Sequence, residues 1–213
     1  MSGRGANLAG QVGRRGRDVY APYVEIMTEF LIGLGANLPG GEGDLASTLA
    51  SALNHLDNHS GISVSRASPW YRTPAWPPGA GPDFVNGAAA LESALSPNEI
   101  LVQLHKVEDI LGRERKVRWG PRVCDLDLLA AGDLVLPDTH TLNRWMAEDS
   151  VTEVANPPEE LLLPHPRLHS RGFVLVPTCD IAPQWRHPIL QRTAAELLAD
   201  LPRQEISDIT RLS

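Results

Sequence analysis

Apolar residues recur along this chain in two rhythms, and the changes between them mark out its elements. Glu29–Gly35 is a short, nearly continuous apolar run that enters a glycine-rich turn at Gly35–Gly41. It reads as a buried first strand. From Asp44 the spacing changes: Leu45, Leu49, Leu53 and Leu56 form a stripe on one helix face. That helix is expected to end near Ser60–Gly61, with the glycine as its cap. Ile62, Val64 and Arg66 alternate and predict a strand running to Trp70. Tyr71–Pro82 is so dense in proline and glycine that a long surface loop is expected there.

Asp83–Asn86 opens another strand, which continues through Glu92. Ser96-Pro97-Asn98-Glu99 has the form of a capping box with proline at the first helical position. Ile100, Leu101, Leu104, Val107, Ile110 and Leu111 then supply an inward helix face as far as Gly112. Val123–Leu129 alternates apolar and acidic residues like a strand with one buried side. Ala131–Leu134 reads as a hairpin-like turn into Val135–Leu136, and residues 137–160, polar and punctuated by proline, as an inserted loop. Phe173–Pro177 is a short apolar element, and Thr193–Glu196 caps a last helix that Pro202 stops. Helices between nonadjacent strands, with short strand-to-strand links, predict an α+β layered fold with a mostly antiparallel sheet.

The 213 residues suit one folded domain, 29–213, behind an N-terminal stretch, 1–28, of different character. Met1–Arg17 is rich in glycine and arginine and is expected to be disordered, and Met27 offers an alternative start. A net charge of −7 argues against a surface built wholly for nucleic acid, so the basic runs must be local sites. Two cysteines, Cys124 and Cys179, make neither a disulfide framework nor a zinc motif, and a cytoplasmic setting is expected. No apolar run is long enough to span a membrane.

One stretch combines opposite charges in a way that demands a third party. Between residues 113 and 127 stand Arg113, Arg115, Lys116, Arg118, Trp119 and Arg122, followed at once by Asp125 and Asp127. Residues two apart on a strand lie roughly 6.5–7 Å from each other on one face. Two carboxylates so placed can share one metal ion, or bridge two ions about 3.5–4 Å apart. Mg²⁺ takes oxygen ligands and commonly joins carboxylates to phosphate oxygens. Arginine forks match the remaining phosphate oxygens. A metal–polyphosphate site is the reading favoured over two solvated acids.

The motifs Gly33-Leu34-Gly35-Ala36-Asn37-Leu38, Tyr71-Arg72-Thr73-Pro74, Asp83-Phe84-Val85-Asn86, Arg118-Trp119-Gly120-Pro121-Arg122, Asp125-Leu126-Asp127, Pro164-His165 and Arg171-Gly172-Phe173 occur in this order. Together they resemble the 6-hydroxymethyl-7,8-dihydropterin pyrophosphokinases of folate biosynthesis, over about residues 29–185. The resemblance implies a ferredoxin-like fold, ATP as co-substrate, two Mg²⁺ ions and transfer of the β,γ-pyrophosphoryl group. By that resemblance Asp125 and Asp127 hold the metal and, with Arg113 and Arg122, form the catalytic set. Glu108, Arg115, Arg118, Trp119, Arg122, His165 and Arg171 would bind ATP. Thr73, Pro74, Trp76, Phe84, Asn86, Trp119 and Phe173 would bind the pterin, the two phenylalanines sandwiching it.

Read without the resemblance, Phe84 and Phe173 are core residues, Glu108 is equally a solvated acid, His169 is a surface residue and Cys124 is packed. The expected partners are small molecules only, with no nucleic acid and no membrane. A monomer is expected, the 137–160 insertion being the element that could cover the nucleotide or mediate weak self-association. Three departures from the family pattern stand out. The segment between Arg115 and Arg118 is one residue short, Pro166 follows His165 where an aromatic is familiar, and the insertion precedes His165. Two other readings compete: a metal-dependent phosphohydrolase using the same acids and arginines, and a ferredoxin-like RNA-binding module.

Overall fold

The computed structural model describes residues 26–40, 43–75, 81–112, 122–147 and 160–212. Its strands are β1 (Thr28–Ala36), β2 (Ile62–Ala67), β3 (Tyr71–Thr73), β4 (Phe84–Ser93), β5 (Asp125–Ala131) and β6 (Thr210–Arg211). Its helices are α1 (Leu45–Asp57), α2 (Pro97–Ile110), α3 (Thr139–Ala147), α4 (Gly172–Ile181) and α5 (Ala194–Asp200). The sheet runs in the order β5-β1-β4-β3-β6, and β2 also pairs with β4. Every pairing is antiparallel. The order β1-α1-β2/β3-β4-α2-β5 is the ferredoxin-like unit, so the expected α+β layering holds.

Each face of the sheet has its own core. On one side Phe30, Ile32, Leu34, Leu126 and Leu128 pack with Leu49 and Leu56 of α1 and with Ile100, Leu104 and Val107 of α2. On the other, Leu31, Ala88, Ala90 and Leu129 pack with Val174 and Leu175 of α4 and Leu197 of α5. Strand alternation divides the residues: even positions of β1 point to α1 and α2, and Leu31 points to α4.

Local signals account for the helix starts. Asp44 accepts a hydrogen bond from Ser47 N at 2.7 Å to open α1. The Ser96–Glu99 and Thr193–Glu196 capping boxes open α2 and α5. Gly112 ends α2 at φ +86°, where a glycine has no Cβ to strain.

The structure departs from expectation in several places. Tyr71–Thr73 is a strand rather than loop, because β4 extends past β2 and leaves edge positions for it. Residues 139–147, expected within a loop, form α3, anchored by a fully buried Leu142. Residues 148–159 of the expected insertion, like 1–25 of the N-terminal stretch, lie outside the described residues. Helix α1 stops at Asp57 with Asn58 as cap, so Gly61 is not its terminator. Ile110, expected inward, is 63% exposed. Phe173–Pro177 is the first half of α4, whose inward positions Val174, Leu175, Thr178 and Ile181 follow a helical period.

His169, expected at the surface, is partly buried and meets His187 edge-on, with ring centroids 6.3 Å apart. His187 is fully buried, and its Nδ1 accepts hydrogen bonds from the backbone N–H groups of Ile189 and Leu190. Burial, and after it the proximity of His169, push His187 down to about 4. The unfolded chain therefore takes up a proton, near its ordinary pKa of about 6.5, that the folded chain refuses. The stability this histidine contributes is complete above that pH and is lost as pH falls toward 4. His187→Gln is expected to flatten the acid side of the stability profile. Thermal unfolding at pH 7 and at pH 4.5 checks this, and equal pH dependence in both proteins would contradict it.

Candidate active site

The chemistry sits on the α4 side of the sheet, beyond the part that α4 covers. In register, Asp125 of β5 lies opposite Gly35 of β1, Gly35 opposite Asn86 of β4, and Asn86 opposite Tyr71 of β3. One step along, Asp127 lies opposite Gly33, which lies opposite Ala88. Leu126 and Leu128 belong to the opposite core, so both aspartates face this side and are only partly buried. The floor between the carboxylates and Asn86 is bare backbone, because β1 offers glycine at both crossings.

That bare floor is occupied with purpose at one point. A Cβ on Gly35 would stand 2.9 Å from Asn86 Oδ1, so the amide lies across the glycine. Asn86 is buried, and its Nδ2 donates to Thr73 Oγ1 at 2.7 Å. A buried amide needs such partners, and β3 exists here to supply one. Tyr71 OH donates to Asp180 Oδ2 at 2.6 Å, tying β3 to α4. Burial and that carboxylate push Tyr71 up to about 12, so it remains a donor.

The turn after β1 has a structural task, as expected. Asn37 Oδ1 accepts from Arg122 N at 2.7 Å, and Asn37 N and Leu38 N donate to Arg122 O at 3.0 and 3.1 Å. Three hydrogen bonds thus hold the Arg122 backbone just before β5, and its guanidinium pairs with Asp125. Glu108 is not the solvated acid of the alternative reading. It is fully buried on α2, and its Oε1 accepts from Leu126 N at 2.7 Å, behind the strand between the two aspartates.

The segment before α4 supplies a histidine and two further arginines, Arg167 and Arg171. His165 N donates to Leu129 O at 2.8 Å, which hangs this segment on the end of β5. His165 Nδ1 accepts from Arg167 N at 3.1 Å, so its proton is on Nε2. Burial, then Arg171 and Arg167, push His165 down to about 3, against the opposing pull of Asp125. It is a neutral donor at physiological pH. Arg171 stands at the N-cap of α4. Burial lowers its pKa, with Asp127 the largest opposing influence and Asp125 also favouring the charge. Its guanidinium lies 5.5 Å from the Phe173 ring centroid.

Phe173 is 39% exposed and Phe84 is partly buried, so neither is the core residue that alternation alone suggests. Phe84 lies opposite Thr73, next to Asn86 on the same face, and Pro74 is exposed at the end of β3. The structure therefore brings together Thr73, Phe84, Asn86, Arg122, Asp125, Asp127, His165, Arg171 and Phe173. Arg113, Arg115, Arg118, Trp119 and Trp76 lie outside the described residues. Sequence reading passed over Arg167, which stands in the same basic, proline-bounded cluster, and over the glycine floor, whose signal was the repeated Gly-x-Gly of β1. A recess of about 470 Å³ beside α5, lined by His169, Arg192, Leu197 and Asp200 among others, contains none of these groups.

Among the described residues no group of three or more His, Cys, Asp or Glu is arranged to hold a metal. Two partly buried carboxylates on one strand face suit Mg²⁺, which keeps waters and takes phosphate oxygens for the rest of its shell. Cys124 is fully buried, as expected, and packs in the opposite core. No described helix is long and apolar enough to cross a membrane.

Comparison with known proteins places the chain by its sequence and fold. A relative from Methylorubrum extorquens, named 2-amino-4-hydroxy-6-hydroxymethyldihydropteridine pyrophosphokinase, is 38% identical over 157 residues, covering 74% of this chain and 84% of its own. One of the same name from Synechocystis is 36% identical over 168 residues, covering 79% and 73%. A solved Plasmodium falciparum HPPK-DHPS chain superposes over 87% of this chain with a TM-score of 0.61 at 13% identity, a likeness of fold. This chain spans about half, 48%, of that longer one. The model of one family matches residues 31–183, and the chain belongs to that family, 7,8-dihydro-6-hydroxymethylpterin-pyrophosphokinase (HPPK).

Proposed function

We propose that this protein transfers the pyrophosphoryl group of ATP to the hydroxymethyl group of 6-hydroxymethyl-7,8-dihydropterin. The oxygen of the acceptor forms a bond to the β-phosphorus, the bond from that phosphorus to the oxygen bridging to the α-phosphate breaks, and AMP leaves. The observation that carries the reading is the cross-strand row of Asp125, Gly35 and Asn86. An acid pair stands at one end of a bare floor and a buried amide, of a kind suited to the edge of a heterocycle, at the other. Neither a phosphohydrolase nor an RNA-binding module requires the second half of that row, and family membership favours neither.

Asp125 and Asp127 would hold Mg²⁺, two ions on this reading, which when bound neutralise phosphate charge and acidify the acceptor hydroxyl. Arg122, held by its backbone to Asn37, presents its guanidinium to the phosphates without a search through backbone conformations. Arg171 adds a second fixed cation, and His165 donates from Nε2. Such preorganised donors act where charge develops in transfer, and little covalent chemistry is left for the protein. Asn86 offers both donor and acceptor to the pterin edge. Phe84 and Phe173 supply its flanking faces. The Arg113, Arg115 and Arg118 guanidiniums and Trp119 belong to the nucleotide side of this proposal, and Trp76 to the acceptor side.

Incubating the protein with ATP, Mg²⁺ and the hydroxymethyl-dihydropterin tests the assignment. AMP and pterin diphosphate are expected in equal amounts, with no AMP when either the pterin or Mg²⁺ is omitted. ADP as product, or nucleotide turnover without pterin, would overturn it.

A further inference from the structure

The chain beyond the family match at residues 31–183 returns to the acceptor site and grips it at two points. After α5, a 3₁₀ turn at Arg203–Glu205 leads through Ile206–Ile209 to β6. At one end, Glu205 lies against Gly172, the first residue of α4. A Cβ there would stand 2.2 Å from Glu205 O, 3.1 Å from its carbonyl carbon and 3.2 Å from Ile206 Cγ2. Backbone meets backbone, so only glycine fits without moving one of the two. At the other end β6 pairs with β3, Tyr71 opposite Arg211 and Arg72 opposite Thr210. Leu212 N donates to Trp70 O at 2.9 Å, and the Leu212 side chain packs on the α1–α2 core.

The span between the two grips is internally bonded. Ser207 N donates to Arg203 O at 2.9 Å, and Ile209 N to Ile206 O at 3.2 Å. The elements it joins are the two walls of the acceptor site. Gly172 stands between Arg171 and Phe173, and β3 carries Thr73, the partner of Asn86. The Tyr71–Asp180 hydrogen bond joins the same two elements near the far end of α4. Together they hold α4 against β3 at both ends.

We propose that Glu205–Leu212 is a brace that sets the width of the slot between Phe173 and the Thr73–Asn86 wall, and so the fit of a flat heterocycle. This role rests on the pterin reading above. Gly172 and the residues of Glu205–Leu212 are positioning residues. They touch no substrate and act through the two walls.

Leu212→Pro in the full chain removes the N–H that Trp70 O accepts, trims the side chain that packs on the α1–α2 core, and leaves the Gly172 contact in place. Loss of one such bond should raise the KM and equilibrium dissociation constant for the pterin by about three- to tenfold. For this variant the KM for ATP should stay within about twofold, because the lost bond lies at Trp70 beside β3, away from Arg122, His165 and Arg171. Gly172→Ala works on the opposite grip and should raise the pterin KM further, since a carbonyl must shift; it serves alone should the proline variant not fold. Circular dichroism and thermal unfolding accompany each measurement. An unchanged pterin constant in folded variants would overturn the brace, as would equal weakening of both substrates. A wild-type protein that forms AMP with no pterin present would overturn the acceptor assignment, and the brace with it.

Discussion

Asp127→Ala is expected to lower kcat for AMP formation by at least about a thousandfold, the scale of losing a preorganised electrostatic group at the reacting centre. The carboxylate lies opposite Gly33, beside a floor of bare backbone, and no third protein ligand among the described residues stands ready to replace it. Asp125 alone would leave the metal a single carboxylate, one that is shared with the Arg122 guanidinium. Removing Asp127 also leaves Arg171 without the largest influence that favours its charge, so both metal and phosphate positioning suffer. Asn86, Thr73 and Phe173 are untouched, so pterin binding should survive. Steady-state AMP formation together with pterin fluorescence titration separates the two. Activity within tenfold of wild type would remove Asp127 from the metal site, and loss of pterin binding would mean that the acceptor wall had collapsed.

Gly35→Ala should leave ATP binding nearly intact and raise the pterin KM by about ten- to a hundredfold, the cost of displacing a buried, bonded polar group. The methyl group would arrive 2.9 Å from Asn86 Oδ1. A free side-chain end could swing away at little cost, but this amide is held by its bond to Thr73 Oγ1. Either the amide turns and that bond breaks, or β1 moves relative to β4. The double variant with Asn86→Ala decides between these. If the amide is the victim, the two changes together should cost little more than Asn86→Ala alone. Additive losses would locate the damage in the strand pairing.

Much of this architecture could be read along the chain. The 96–99 capping box, the alternation through 123–129 and the apolar run at 29–35 placed α2, β5 and β1 correctly, because each signal is local and pays no regard to distant contacts. The acid pair was legible for the same reason, since strand period puts Asp125 and Asp127 on one face wherever the strand goes. Tyr71–Thr73 failed because its order comes from β4 and β6, on either side of it, and not from its own composition. The 139–147 segment failed because Leu142 gains its burial from the body of the fold. For Glu108 the solvated reading failed, since a carboxylate looks the same in sequence whether water or the Leu126 N–H donates to it.

Composition, period and capping chemistry by themselves determined that this chain makes a layered α+β fold with acids and arginines close together in sequence before and at β5. They could do so because helix and strand periods act over a few residues. Only the tertiary structure decided what stands opposite those acids. Gly33 and Gly35 become a floor, Asn86 a wall, and Asn37 a clamp on Arg122 through the register of neighbouring strands and the turn that follows β1. Register depends on pairing between segments some fifty residues apart, as in Gly35 with Asn86, and a one-residue slip would have turned the amide to the other face.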